Sequence, residues 1–581
     1  MSNQITTITL LATSDLHGRL YPYDYIFEKE DRTGSMAQLV TAVKQIYDPS
    51  TMVLMDGGDT IQDNFAELFL EDEIHPMMET LNDLGYEIWT TGNHEYDFGM
   101  DIVKGVIGQF HGTVLLANVY DEEGNRLAKP YVILEKQGVR IAVISMVSPN
   151  IANWSETNLK GYTVTNPIPE TERVLKELEG KYDVLIGLCH MGFRDELGVE
   201  GSGMNSFLEH FPEFDVMITC HEHDLVESRE INGVLCAENR SDAKSLLRVT
   251  LDLEKEEKRW KVVSKKSEGI LLEGYEPDPA FLEKYRPCHE KILENSRRVI
   301  GTLTGKEYLA GENPVFFIPK ASMEPTSLVT LLNKVLQYYS GARVSSTILC
   351  KYNTNLNPGP VTVNESEWLF PFPNTVIKVK MTGRQLRKFI EYSAQYYNTF
   401  HEGDLTITFR IGWPIFVHDI FSGVNYEINI AREPGERIEN LTWPDGSPVK
   451  DEEDFEFAIP SFRYSTTLAE PGPVLSEEDG LPEMIEEMVR PDLGTYPMMI
   501  LDYIEHVLNG IIVPENENNW KLTGYSWDEE LHAKAIDYLA RGLIPDSEIT
   551  INHARNCHPV RLEHILEAEK QQSLEADEEN K

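Results

Sequence analysis

Short apolar, β-rich runs at 6–12, 51–55, 86–90, 139–147, 182–188 and 215–219 alternate with segments of helical period such as 34–46, 75–84 and 169–178. This alternation predicts an α/β layered sheet for the first half of the chain. Polar signals fall at one place in each unit. Asp15, Asp59, Asn93, His190 and His221 all lie just beyond the end of an apolar run, at the carboxyl edges where open sheets gather their ligands. A site assembled from loops is therefore predicted. Near Leu271 the alternation stops, and 277–298 reads as a charged, solvent-facing helix that joins two bodies. A second unit follows, with helical stretches at 326–339 and 383–397 and strand-like runs at 375–380 and 424–430. Beyond it, 527–543 has the pattern of an amphipathic helix, and 562–581 is an acidic, Gln/Glu-rich tail expected to fray. The division is 1–272, a linker helix at 273–297, 298–522, and an extension at 523–581.

With 581 residues there is room for at least two buried cores. Asp and Glu outnumber Lys and Arg by 96 to 52, giving a formal charge of −44, the opposite of the balance that neutralises duplex phosphates. Duplex nucleic acid is excluded as a partner. Apolar residues make up 41% of the chain without forming a run long enough to span a bilayer. The opening MSNQITTITL carries no basic, then apolar, leader pattern, so the expected compartment is the cytoplasm. Six scattered cysteines make no CxxC pair and read as reduced thiols.

The chemistry sits in five fragments: SDLHG (Asp15, His17), DGGDT (Asp59), GNHEYDFG (Asn93, His94, Asp97), CHMG (His190) and CHEH (His221, His223). Taken singly, an Asp after a strand is a helix cap and a GGD is a turn. Five such clusters in chain order, each at a strand end, point instead to one shared set of oxygen and nitrogen ligands. The count suits two divalent ions sharing a bridging carboxylate. Imidazole with carboxylate and no thiolate favours Mn, Zn, Fe, Co or Ni. Cys189 and Cys220 adjoin ligands in sequence, but adjacent side chains of a strand face opposite ways, so both are expected to pack.

In this order the blocks resemble the calcineurin-like metallophosphoesterases. YDYI at 23–26, GDTIQ at 58–62 and HPMMETLNDLGY at 75–86 are similar to the 5′-nucleotidase branch, and within it to the 2′,3′-cyclic-nucleotide 2′-phosphodiesterase/3′-nucleotidase group. The segments 359–383, 423–449 and 518–522 resemble that group's nucleotide-binding domain. The resemblance implies a four-layer sandwich of two packed sheets flanked by helices, plus a second α+β domain that delivers substrate by rotating about the linker. It implies that Asp15, His17, Asp59 and His223 hold one ion, and Asn93, His190, His221 and the shared Asp59 the other. His94 would face the phosphate and Asp97 would orient it, assisting in-line attack of metal-bound hydroxide on a nucleotide ester.

The chain departs from the family where a base would stack between two aromatic rings. PIFVHDIFSG (414–423) retains Phe416 with His418 beside it, and AIPSFRYSTT (458–467) retains Phe462 and Tyr464 but replaces both expected asparagines with Pro460 and Ser461. An Arg expected before the GPVT segment is also absent, TNLNPG standing there instead. Phe416, His418, Phe462 and Tyr464 are the substrate-binding candidates. The leading function is therefore a nucleotide phosphoesterase. A phosphoesterase for a non-nucleotide small ester or nucleotide sugar is the second reading, and a non-catalytic nucleotide-binding protein the third.

Overall fold

The computed structural model describes residues 5–156, 158–196, 199–256, 259–315, 318–372, 374–545, 548–549 and 554–579. The chain divides into two units, 1–296 and 297–581.

The first unit is built on two six-stranded sheets. One runs in the order Arg259–Leu271, Ser245–Glu256, Ile5–Thr13, Met52–Asp56, Ile88–Trp89, Thr113–Val114. The other runs Val226–Ile231, Val234–Glu238, Val216–Thr219, Val184–His190, Val139–Val147, Tyr131–Lys136. Strand alternation decides the layering. Ile8, Leu10 and Ala12 point into a core shared with Ile141, Val143, Ile186 and Ile218 of the other sheet, while Leu11 points the opposite way onto the helices Met36–Ile46 and Pro76–Leu84. The second sheet repeats this: Ala142, Ile144 and Leu185 pack outward with Phe207, Leu208 and Val174 of the helices Pro167–Leu178 and Met204–His210. The result is helix, sheet, sheet, helix.

Parallel pairing sets the strand ends level. Thr13 pairs with Asp56 and Asp56 with Trp89, and in the other sheet His190 pairs with Val147 and Cys189 with Thr219. Every loop bearing a candidate ligand therefore leaves from a carboxyl edge.

The expected linker helix is two helices, Pro279–Lys284 and Arg286–Ser296. Pro287 cannot donate a backbone hydrogen bond to the preceding turn, and Tyr285 at the break turns inward, its hydroxyl donating to Glu79 Oε2 at 2.7 Å. The face is not all solvated: Phe281, Tyr285 and Ile292 are buried within this unit.

The second unit has a five-stranded sheet in the order Ile420–Ser422, Val344–Thr347, Asp454–Pro460, Val376–Thr382, Glu483–Glu486, with helices Ser327–Ser340 and Gly383–Ser393. Thr382 and Gln385 form a capping box at the start of the latter. The extension forms helices Glu529–Ala540 and Leu562–Glu579. The tail forms its helix as far as 579, and Ile565 and Ala568, three apart, are buried on one face; residues 580–581 lie outside the described residues. No described helix is long and apolar enough to cross a membrane.

His75, in the HPM element, caps the helix Pro76–Leu84: Met77 N–H donates to its Nδ1 at 3.2 Å, so Nε2 carries the proton and donates to Ala66 O at 3.1 Å. Burial pushes its pKa down to about 4. Between about pH 6.5 and pH 4 the unfolded chain takes up a proton that native His75 refuses, so acid costs this unit up to about 3 kcal/mol. Unfolding midpoints measured across that range should fall with pH. His75→Asn keeps a capping oxygen without a titrating group, and its profile should be shallower.

Candidate metal centre

The loops after the first two parallel strands are zipped by backbone hydrogen bonds, Asp15 N–H to Gly58 O (2.8 Å), His17 N–H to Asp59 O (2.9 Å) and Gly18 N–H to Thr60 O (3.0 Å). This brings Asp15, His17 and Asp59 onto one spot. Asn93 and His94 follow the strand Ile88–Trp89, His190 ends its strand, and His221 and His223 follow Val216–Thr219. Asp15, His17, Asp59, His221 and His223 all have positive φ, between 45° and 89°. Side chains at such angles cost of order 1–3 kcal/mol each and cluster where function requires them. His221 and His223, two residues apart, sit on a turn with φ of 89° and 65°. Each turns to a different set of partners.

Two donor sets result. Asp15, His17, Asp59 and His223 offer one atom apiece within 4.8 Å of one another, and so do Asp59, His190 and His221. Asn93 Oδ1 joins the second, 3.1 Å from His190 Nε2 and 2.8 Å from His221 Nδ1. The proton inventory identifies what belongs between them. His190 Nδ1 lies 2.8 Å from Gly57 O and His17 Nδ1 lies 3.1 Å from Gln62 Oε1, so both rings use Nδ1–H as a donor and turn Nε2 inward. His17 Nε2 then meets His223 Nε2 at 3.1 Å, and His190 Nε2 meets Asp59 Oδ2 at 3.1 Å. Asp59 is fully buried, and its Oδ2 makes no hydrogen bond. Inward ring nitrogens and carboxylate oxygens crowded at these distances favour positive charge among them, carried by protons or by cations. The titration directions agree. Burial would lower His190, but Asp59 drives it well above the imidazole range. Burial would raise Asp15, but His223 and His190 hold it at about 2. The donor set fits divalent cations: imidazole, carboxylate and amide oxygen, with Cys189 and Cys220 buried and their thiols pushed up to about 12 by burial.

His94 lies outside both sets. Its backbone N–H donates to Asp59 Oδ1 at 2.8 Å, and its Nδ1 lies 2.6 Å from Asp97 Oδ2. The sequence reading missed the carboxylates behind the ligands. Glu95, fully buried, accepts backbone N–H groups of Asp59 (2.9 Å), Thr60 (2.7 Å) and Gly92 (2.6 Å), and so ties two ligand loops together. Burial, then Asp59, raises its pKa to about 7. Glu238 does the same for the CHEH loop, accepting from Glu222 at 2.8 Å and His223 at 3.0 Å. Glu196 lies 3.2 Å from His221 Nε2, and Trp154 stacks on the His221 ring at 5.3 Å. Glu95 was visible within GNHE; no local signal marked Glu238 or Glu196.

Gly92 shows how closely the loops approach. A Cβ there would sit 2.1 Å from Asp59 Oδ1 and 2.5 Å from His190 Cε1. Gly92→Ala should displace a carboxylate common to both donor sets and lower divalent-cation affinity by at least about tenfold, the scale at which ligand positioning is felt; calorimetric titration with Mn reads this directly.

Of the four substrate-binding candidates, the structure brings two together. The half-buried rings of Phe416 and Phe462 approach to 6.4 Å between centroids at 62°. His418 is 3% exposed, stacks on Tyr396 at 4.7 Å, and lies 3.0 Å from Tyr397 OH. Tyr464, 8% exposed, is likewise part of the core. The physical reason is local. The short helical turn Ile415–Val417 leaves Phe416 outward and sends His418 inward, over Ser393 Oγ at 3.1 Å.

Residues 8–225 match the family model for calcineurin-like phosphoesterases, and residues 299–467 match that for the 5′-nucleotidase C-terminal domain. The chain joins a calcineurin-like phosphoesterase domain to a 5′-nucleotidase C-terminal domain. Among relatives, the trifunctional nucleotide phosphoesterase protein YfkN of Bacillus subtilis is 25% identical over 91% of this chain, which spans 40% of YfkN's own length. The 2′,3′-cyclic-nucleotide 2′-phosphodiesterase/3′-nucleotidase of Haemophilus influenzae is also 25% identical, over 91% of this chain and 89% of that protein. The fold is shared with a putative 5′-nucleotidase from Staphylococcus aureus, at a TM-score of 0.74 and 19% identity over 89% of this chain and 100% of that one. Within the phosphoesterase domain, both donor sets come from loops at the carboxyl edges of the two central sheets.

Proposed function

We propose that this chain hydrolyses phosphate esters of nucleotides, as a 5′- or 3′-nucleotidase or a 2′,3′-cyclic-nucleotide 2′-phosphodiesterase, using two divalent ions. One observation carries the reading: two donor sets meet at a single buried carboxylate, Asp59, with His94 beside it. Asp15, His17, Asp59 and His223 would hold one ion, and Asn93, His190, His221 and Asp59 the other. When bound, such a pair supplies a water of lowered pKa and neutralises the ester's charge. The ligand chemistry suits Mn, Fe, Co, Ni or Zn.

The chain's own residues do the rest. Asp97 holds His94 Nδ1 at 2.6 Å, leaving Nε2–H to face the anionic ester and donate to the leaving oxygen. Burial opposes protonation of His94, but Asp97 and Asp59 outweigh it and raise its pKa to about 10. Phe416 and Phe462 are the candidates to hold a base. The second reading, a smaller phosphoester or a nucleotide sugar, is favoured by the angle between those rings, which are inclined at 62° rather than parallel. A cytoplasmic setting suits six scattered cysteines that make no CxxC pair.

The test is phosphate release from 5′-AMP, 3′-AMP, 2′,3′-cyclic AMP and glycerol 2-phosphate, before and after chelation and with each metal restored. Nucleotide cleavage that stops on chelation and returns with metal is expected. Cleavage surviving exhaustive chelation overturns the metal assignment, and equal cleavage of glycerol 2-phosphate overturns the nucleotide assignment.

A further inference from the structure

The segment that leads to Phe416 has little secondary structure of its own. Between Tyr396 and Ile415 the chain forms neither helix nor extended strand, yet Leu405, Ile407 and Phe409 are buried. Buried backbone groups need partners; Phe400 N–H finds Ile430 O and Asn398 N–H finds Thr408 O, and the C-terminal extension supplies a further set. Leu405 N–H donates to Val560 O at 2.8 Å, and Leu405 O lies 2.7 Å from His532 Nδ1. Phe409 N–H donates to Asn556 O at 2.8 Å, while Asn556 Nδ2 donates to Thr406 Oγ1 at 3.1 Å and Ile407 O at 3.0 Å. Arg561 Nε donates to Asp404 Oδ1 at 2.8 Å, and Asp404 Oδ2 accepts His401 N–H at 2.9 Å. Asn556 and Asp404 are 2% and 3% exposed, so neither has water as a ready substitute.

The held segment is coupled to the loop it feeds. Phe409 packs on Tyr396 at 4.8 Å, Tyr396 stacks on His418, and His418 is two residues from Phe416. Each contact is a ring packed on a ring, which transmits displacement rather than absorbing it.

We propose that the C-terminal extension braces residues 398–418 and thereby sets the position of Phe416, with Asn556 as the positioning residue; this rests on the reading of Phe416 and Phe462 as the pair that holds a base. The extension is then part of the substrate site without touching substrate.

Full-length Asn556→Ala and Arg561→Ala test this by hydrogen exchange of 398–418 and by steady-state kinetics on the AMP esters and glycerol 2-phosphate. In both variants, exchange of that segment should rise by about tenfold or more. Nucleotide KM should rise about tenfold, the worth of a lost stacking contact, with kcat, metal content and glycerol 2-phosphate kinetics unmoved. Unchanged exchange overturns the brace. Raised exchange with an unmoved nucleotide KM, in an enzyme that prefers nucleotides, overturns its role in substrate binding. A wild type that cleaves glycerol 2-phosphate as well as any nucleotide overturns the nucleotide reading and the affinity half of the proposal with it, while exchange still decides the brace.

Discussion

Asp59→Asn should lower phosphoester hydrolysis by at least about a thousandfold and leave the protein with fewer than about two tightly held divalent ions. Asp59 is the only residue common to both donor sets among the described residues. An amide in its place removes the negative charge that the second oxygen brings and sets a nitrogen against a ligand. The fold itself should tolerate the change, because Asn still offers an oxygen to His94 N–H, now held at 2.8 Å. Elemental analysis separates the outcomes. A variant with a native thermal midpoint, less metal and no turnover is expected. A variant that keeps both its metal and full activity would show that the two sets do not share this carboxylate.

His94→Asn should do the converse: kcat should fall about 10²- to 10⁴-fold, the usual worth of a positioned proton donor, while metal content stays that of the wild type. His94 belongs to neither donor set, and its ring is held by Asp97 rather than by the ligands. Asp97→Asn should cost less, about 10- to 100-fold, because the imidazole remains and loses only its orienting charge. Loss of metal from either variant would mean that His94 acts as a ligand and not on the ester.

Much of this site was readable from local pattern. The period of apolar residues separated strands from helices, and the placement of Asp15, Asp59, Asn93 and His190 after apolar runs followed from the edge at which parallel strands end. Patterns of this kind are local, since a run of alternating residues must bury one face wherever it sits. Helix ends near Ile46, Leu84 and Leu178 were readable for the same reason.

What no local pattern held was everything that depends on residues far apart in the chain. Glu238 became visible as a support only when its carboxylate met the N–H groups of Glu222 and His223, and Glu95, readable as part of GNHE, showed what it holds only when it met Asp59 and Thr60. His418 read as a substrate-binding candidate beside Phe416, and its packing against Tyr396 and Tyr397 is a long-range contact that no local pattern held. The extension read as a helix followed by a fraying tail, with no sign that Asn556 would satisfy backbone groups some 150 residues earlier. Which residue types the chain commits to metal chemistry is a matter of composition at strand ends, and sequence alone determined it. Which of them face one another, and what holds them there, is settled by long-range hydrogen bonds whose partners exist only once the two sheets of the first unit have closed.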